Sequence, residues 1–169
     1  MKDSKLYNKK LVVPQGFDMP TKLKFKELTA RPLGRLDLQE DLKAVNSSLR
    51  VIRETRGGSW PSEELNEDFD LLDLAWHERE FRDGDSFAYV IELNNKYIGC
   101  FYIYPVGTRT PLDETTDQYD ADFSWWVTAE AYDLGAYQEV FNALEAWRTE
   151  LPFKKVLYSN KQIPQGEVI

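Results

Sequence analysis

The sequence predicts an α/β fold: a mixed, mostly antiparallel sheet flanked by helices, with elements in the order β-α-α-β-β-β-α-β. Three observations predict it. Ser86 to Leu93 and Lys96 to Tyr104 are runs rich in aromatic and β-branched residues, separated only by Asn94-Asn95. That dipeptide suits a two-residue turn with positive φ, so the runs form an antiparallel hairpin. Both runs are apolar on both faces, so helices cover both faces. Finally, a helical pattern lies between Asp120–Thr128 and Lys154–Tyr158, and a strand reached by a helix crossover runs parallel to the strand before it.

Each element has its own signal. Residues 1–21 carry lysines, prolines and a glycine with little periodicity and read as an N-terminal arm, leaving residues 22–169 as a single domain. Lys22 to Thr29 alternates Leu23 and Phe25 with lysines and reads as the first strand. Arg31-Pro32-Leu33-Gly34 breaks it. Leu38, Leu42, Val45, Leu49 and Ile52 fall on one stripe of a 3.6-residue period and predict a helix, with Asp37 as its cap and Glu40 completing a capping box. Arg56-Gly57-Gly58-Ser59-Trp60-Pro61 ends that helix. Ser62 is placed to cap a second helix, with Glu63 and Glu64 in its first turn and a stripe of Leu65, Phe69, Leu72 and Trp76 expected to be buried. Asp83-Gly84-Asp85 stops it.

Beyond the hairpin, Pro105 to Tyr119 is polar and reads as a surface loop. Asp120 to Thr128 is the third central strand, and Ala129 to Asp133 a short connection. The helix from Leu134 to Glu150 buries Tyr137, Val140, Phe141, Leu144 and Trp147. Lys154 to Tyr158 is the last strand. Its open edge needs a cover: the arm, the tail 159–169, or a second copy in a homodimer.

Composition excludes several classes. The chain has 169 residues, 42% hydrophobic and 30% charged, an ordinary globular balance. Cys100 is the one cysteine, which excludes an intramolecular disulfide and a cysteine-based zinc site; His77 is the one histidine, too few for a histidine metal site or a Ser-His-Asp triad. No metal is expected. No apolar run approaches the ~20 residues of a membrane span, so no membrane partner is expected and a reducing cytoplasm is the default compartment. The net charge is −8, unevenly spread: residues 1–59 carry +6, while 60–92 and 111–150 carry −9 each. This balance argues against nucleic acid as a partner. The acidic middle suits a cationic ligand, or simply a solvated surface.

At the strand-to-helix junction near Gly135, the first N–H groups of a helix point outward, a natural place for phosphate or pyrophosphate. The residues around it carry a resemblance. The run Ala121 to Trp147 (ADFSWWVTAEAYDLGAYQEVFNALEAW), the two helices after a first strand, and the hairpin ending in Cys100-Phe101-Tyr102-Ile103 together resemble the GCN5-related N-acetyltransferases, over roughly residues 23–160. In that family an Arg/Gln-x-x-Gly-x-Gly/Ala loop at a helix start holds the pyrophosphate of acetyl-CoA on backbone amides, and two splayed strands admit the pantetheine. The resemblance implies an acyl-CoA-dependent N-acetyltransferase with acetyl-CoA as co-substrate, acting on a small-molecule or protein amine.

Carried over residue by residue, Gly135 falls on the central glycine. The amides of Leu134, Gly135, Ala136 and Tyr137 would hold the pyrophosphate, those of Trp126 and Val127 would polarise the thioester, and Asn160 matches an asparagine often found after the last strand. Tyr132 stands where Arg or Gln is usual, and Tyr137 where Gly or Ala is usual, so the Tyr137 ring must turn toward the core if phosphate is to reach the backbone. Asp133 puts a negative charge beside the same amides. The family's next helix and final strands are not evident after Asn160.

Amine acetylation needs a base for the ammonium. Asp122, on the strand before the loop, is the candidate; the alternative is a solvated strand carboxylate. His77 reads as an exposed or edge histidine, Cys100 as an inert buried thiol, and Tyr102 and Tyr104 as pocket lining or packing. Two function classes stand: the N-acetyltransferase, and a catalytically silent member of the fold that serves as a binding or interaction module.

Overall fold

The computed structural model describes residues 8–164. Six strands make one sheet in which spatial order equals chain order: β1 (Leu23–Phe25), β2 (Leu28–Pro32), β3 (Phe87–Leu93), β4 (Lys96–Tyr104), β5 (Ala121–Val127) and β6 (Val156–Tyr158). Strands β1 to β5 pair antiparallel and β6 pairs parallel to β5, as the turn and the crossover predict. Helices α1 (Leu38–Asn46), α2 (Leu49–Arg56) and α3 (Glu67–Asp83) pack on one face, and α4 (Ala129–Asp133) and α5 (Ala136–Trp147) on the other.

Both faces of the central strands are used. Phe87, Tyr89, Ile91, Phe101, Ile103 and Trp125 pack toward the α5 residues Tyr137, Val140, Phe141, Leu144 and Trp147. Ala88, Val90, Cys100, Tyr102 and Trp126 meet Ala44, Val45, Ile52 and Leu74 of α1–α3. Asn94 and Asn95 have φ of 50° and 67°, the left-handed pair that the hairpin turn requires. The described part of the arm has little regular structure yet is anchored: Lys9 N–H donates to the Val106 carbonyl, and Leu11, Val13 and Met19 pack on the core. Among the described residues no helix is long and apolar enough to cross a membrane.

Several elements differ from the sequence reading, each for a physical reason. The first strand is two, because Lys26 turns at φ 52° and Leu28–Pro32 folds back on Leu23–Phe25; Arg31 and Pro32 lie inside β2 rather than ending it. Asp37 holds the N-cap position of α1, but its carboxylate makes no cap bond: it accepts from Gly34 N–H and pairs with Arg31, around a 3-10 turn at Arg35–Asp37. The single helix expected over 38–52 breaks at Ser47-Ser48, where hydroxyls compete with the helical backbone; Ser47 donates to Ala44 O and Ser48 accepts from Ala129 N–H.

Helix α3 starts at Glu67, capped by Asn66 rather than Ser62. Its expected buried stripe is turned outward: Phe69, Leu72 and Trp76 are 70%, 56% and 48% exposed, while Asp70, Leu74 and His77 face inward. The inward stripe was hidden because two of its members are ionisable. The connection 129–133 is itself a short helix, capped by Thr128.

One glycine sets the approach of β4 to β5. A Cβ on Gly99 would press on the Trp126 carbonyl oxygen and lie 2.9 Å from Val127 Cα. The register between β3 and β4 slips nearby, leaving Ile98 between the Gly99 and Tyr97 pairs. Gly99→Ala should therefore push β4 from β5 and destabilise the fold by about 1–3 kcal/mol, read as a lowered thermal midpoint.

Candidate functional site

Strand β5 serves two surfaces, because successive side chains point to opposite faces. Phe123 and Trp125 look toward α5; Asp122, Ser124 and Trp126 look toward α1–α3.

On the α5 side, the β5–β6 ladder runs from Ala121↔Val156 to Phe123↔Tyr158 and ends with Ser159 N–H donating to Phe123 O at 3.0 Å. The side chain of Asn160 takes over from there. Its Oδ1 accepts from Trp125 N–H at 3.0 Å, and its Nδ2 donates to Trp125 O at 3.0 Å and to the Tyr137 hydroxyl at 2.7 Å. Tyr137 is stacked on Trp125 with centroids 4.9 Å apart and is 7% exposed, so its ring is turned into the core. Its hydroxyl also meets the carbonyls of Thr55 and Gln162. The tail then straps onto the end of α2: Lys161 N–H donates to Arg56 O and Gln162 N–H to Thr55 O.

Gly135 joins α4 to α5 at φ 87°, and a Cβ there would meet no atom within 4 Å. A cavity of about 400 Å³ opens beside it, lined by Tyr132, Gly135, Tyr137, Gln162 and Pro164 among others. Two of the four amides expected to be free are engaged: Leu134 N–H donates to Ala131 O and Gly135 N–H to Tyr132 O. The reason is α4, whose last carbonyls collect them. Ala136 and Tyr137 hold the remaining amides at the start of α5. The Trp126 carbonyl faces β4 at Gly99, so strand alternation turns the backbone of Val127, not that of Trp126, toward β6.

On the opposite face two cavities meet. One of about 490 Å³ is lined by Trp60, Asp73, His77, Glu80, Asp85, Tyr102 and Tyr104 with others. The second, about 420 Å³, is lined by Gly57, Gly58, Ser59, Arg109, Ser159 and Lys161. Arg56, Trp60 and Thr108 belong to both. Arg56 lies 4.4 Å from the Tyr102 ring centroid and donates from Nε to Ser124 Oγ at 3.2 Å. Arg109 donates from Nε to Ser159 Oγ at 2.8 Å and from Nη2 to Arg56 O at 2.9 Å.

Asp122 lies beneath these groups, fully buried, on the wall of neither cavity. Burial pushes its carboxyl up to about 6, opposed by Ser159, Arg109 and Arg56. Neither oxygen has a hydrogen bond of good geometry. His77 is buried rather than exposed, its Nε2 3.3 Å from Asp73 Oδ2 and its ring 5.7 Å from Tyr102.

Behind α3, Asp41 and Asp70 face each other, both nearly inaccessible. The Tyr97 hydroxyl donates to Asp41 and lies 3.0 Å from Cys100 Sγ. Burial, then the Asp41 carboxyl, pushes Asp70 up to about 8, so at neutral pH the pair keeps a proton. Cys100 is raised well above its usual value by burial, which keeps it a thiol.

Arg56, Arg109, Asp73 and Glu80 had no motif to announce them. The faint signal for Arg56 is its place before Gly57-Gly58, where a helix ends; Arg109 sits inside a polar loop that reads as surface.

No protein-family model matches the sequence, and no curated protein sequence matches it. Solved structures do. The fold is similar to that of the microcin C7 self-immunity acetyltransferase MccE in complex with acetyl-CoA and AMP, with a TM-score of 0.60 and 15% identity over 83% of this chain and 73% of that one. It is similar to RimL, the ribosomal L7/L12 alpha-N-protein acetyltransferase, in complex with coenzyme A, with a TM-score of 0.57 and 12% identity over 74% of this chain. The match spans 66% of the RimL chain. The ribosomal-protein-S5-alanine acetyltransferase from Vibrio fischeri gives 0.56 and 11% identity, over 78% of this chain and 68% of that one. The chain has the GCN5-related N-acetyltransferase fold.

The buried carboxyl pair has a signed consequence. A carboxyl whose folded value lies above its unfolded one stabilises the fold at low pH and loses that contribution as pH rises. For Asp70 the loss runs from near 3.8 to about 8. Asp70→Asn should flatten the fall of unfolding free energy with pH over this window, measured by urea titrations at stepped pH.

Proposed function

We propose that this chain is an acyl-CoA-dependent N-acetyltransferase, with acetyl-CoA at the start of α5 and an amine on the opposite side of β5. The carrying observation is the end of the β5–β6 ladder at Phe123–Tyr158, beside the Gly135 helix start and its cavity. Ala136 and Tyr137 would offer amides to pyrophosphate, and Gly135 leaves the approach clear. Acetyl-CoA, when bound, supplies an acyl thioester as the electrophile. The known structures of this fold with CoA or acetyl-CoA bound support the reading.

The residues of this chain supply proton handling. Asp122, raised to about 6, is matched to accept a proton near neutral pH. It lies behind Ser159, a wall residue of the smaller cavity. Val127 would present its backbone to the thioester side. The acidic wall of Asp73, Glu80 and Asp85 suits a protonated amine waiting to react.

A second reading, the silent fold, rests on one observation. Asn160 and Tyr137 already fill the place where the strands part, and the tail crosses it. Calorimetric titration with acetyl-CoA separates the two. Heat of binding at sub-millimolar concentration supports the transferase, and none at millimolar concentration leaves the silent fold. Gly135→Asn, which tolerates a left-handed backbone, should weaken acetyl-CoA about tenfold by crowding the cavity. Asp122→Asn should leave that affinity unchanged and remove a limb of the rate profile that rises with pH through about 6.

A further inference from the structure

The two cavities on the α1–α3 side carry opposite charge and share Arg56, Trp60 and Thr108. On one side stand Arg56, Arg109 and Lys161; on the other Asp73, Glu80 and Asp85. Arg56 is 5% exposed. Among the described residues no carboxylate comes within 4.0 Å of either the Arg56 or the Arg109 guanidinium. Asp122 is the carboxylate that acts on both from farther off. Buried charges are normally paired, because desolvation is otherwise uncompensated.

Two arginines in one place also repel. Burial, then Arg56, pulls Arg109 down to about 10. Yet the fold holds both: Arg109 is tied to Ser159 Oγ and Arg56 O, and Arg56 is held over the Tyr102 ring with Nε on Ser124. Both arginines line the smaller cavity, and Arg56 also reaches Tyr104. Gly57 and Gly58, at φ 85° and 80°, line the same wall; a Cβ on Gly57 would lie 3.0 Å from Lys161 Cβ, and one on Gly58 4.0 Å from Arg109 Nη1. The arrangement fits a planar or tetrahedral anion gripped by two guanidinium forks.

We infer that the joined cavities form one site for a small zwitterion, a primary amine bearing a carboxylate or phosphate. The anion sits at Arg56 and Arg109, the ammonium against Asp73, Glu80 and Asp85, and the body lies on Trp60, Tyr102 and Tyr104. A ligand of one sign would satisfy one half and face the other unpaired. The volumes, about 420 and 490 Å³, suit a metabolite-sized molecule. As the acceptor of the acetyl group this ligand rests on the transferase reading; as a bound ligand it does not.

The test is calorimetry on the wild-type chain with two sets of probes. L-phenylalanine is compared with phenylalaninamide, which lacks the carboxylate, and with 3-phenylpropionate, which lacks the amine. O-phosphoethanolamine is compared with ethanolamine and inorganic phosphate. At least one zwitterion should bind about tenfold or more tighter than both of its single-charge counterparts, and the set in which it does so names the anion. Arg109→Gln and Glu80→Gln, checked for native far-ultraviolet dichroism, should each erase that preference; Lys161→Gln replaces the first if it does not fold. Equal binding of single-charge probes, no zwitterion binding at millimolar concentration, or a preference that survives the substitutions overturns the inference. Zwitterion binding without acetyl-CoA binding defeats the transferase reading alone, and the converse defeats this site alone.

Discussion

One side-chain amide holds the two halves of this molecule in place. Where β6 stops matching β5, the Trp125 backbone would be left with a buried donor and acceptor, and leaving such groups unpaired costs about 1–3 kcal/mol each. Asn160 satisfies both and has an N–H left for Tyr137. That third bond positions the Tyr137 ring on Trp125 and so sets how α5 lies on the sheet. The residues that follow Asn160 bind the end of α2, and Arg109 holds the same Arg56 carbonyl. The cavity beside Gly135 and the cavities beside Arg56 lie on opposite faces, yet both are braced by this junction.

Charge is arranged around Arg56 rather than spread evenly. The acidic stretch 60–92 becomes α3 and its flanks, and Asp73, Glu80 and Asp85 line a cavity. Three other acids, Asp41, Asp70 and Asp122, are buried, where ionisation is penalised. Strongly displaced carboxyls cluster where a protein does chemistry or stores strain. Here they frame β4 and β5 from beneath, on the face that holds the amine-suited wall.

Much of the scaffold was legible because its signals are local. The Asn94-Asn95 turn, the α5 stripe and the parallel return of β6 each follow from a few neighbouring residues. The α3 stripe was misread by one position, because Asp70 and His77 occupy inward places that periodicity assigns to apolar residues. Asp37 and Ser62 have capping chemistry, but Asp37, though at the N-cap of α1, gives its carboxylate to Arg31 and Gly34, and Asn66 stands at the true start of α3. Gly135 and Asn160 could be singled out as candidates through the family resemblance. Arg56 and Arg109 could not, since they lie 53 residues apart and meet only through the packing of α2 against the loop after β4.

The strand order adds a consequence for how the chain is made. Spatial order equals chain order across all six strands, so each strand docks on the one before it, yet the β2–β3 pairs run from Leu28↔Leu93 to Pro32↔Tyr89 and the β5–β6 pairs start at Ala121↔Val156, across long stretches of chain. Pairings of this span form late, because closing a long loop costs entropy before its contacts form. The junction at Asn160 is of the same kind, its partners 35 residues back in β5 and 23 back in α5. A chain that has built its first five strands thus still lacks the piece that joins its two faces, so the cavities beside Gly135 and Arg56 take shape only once β6 and Asn160 have docked.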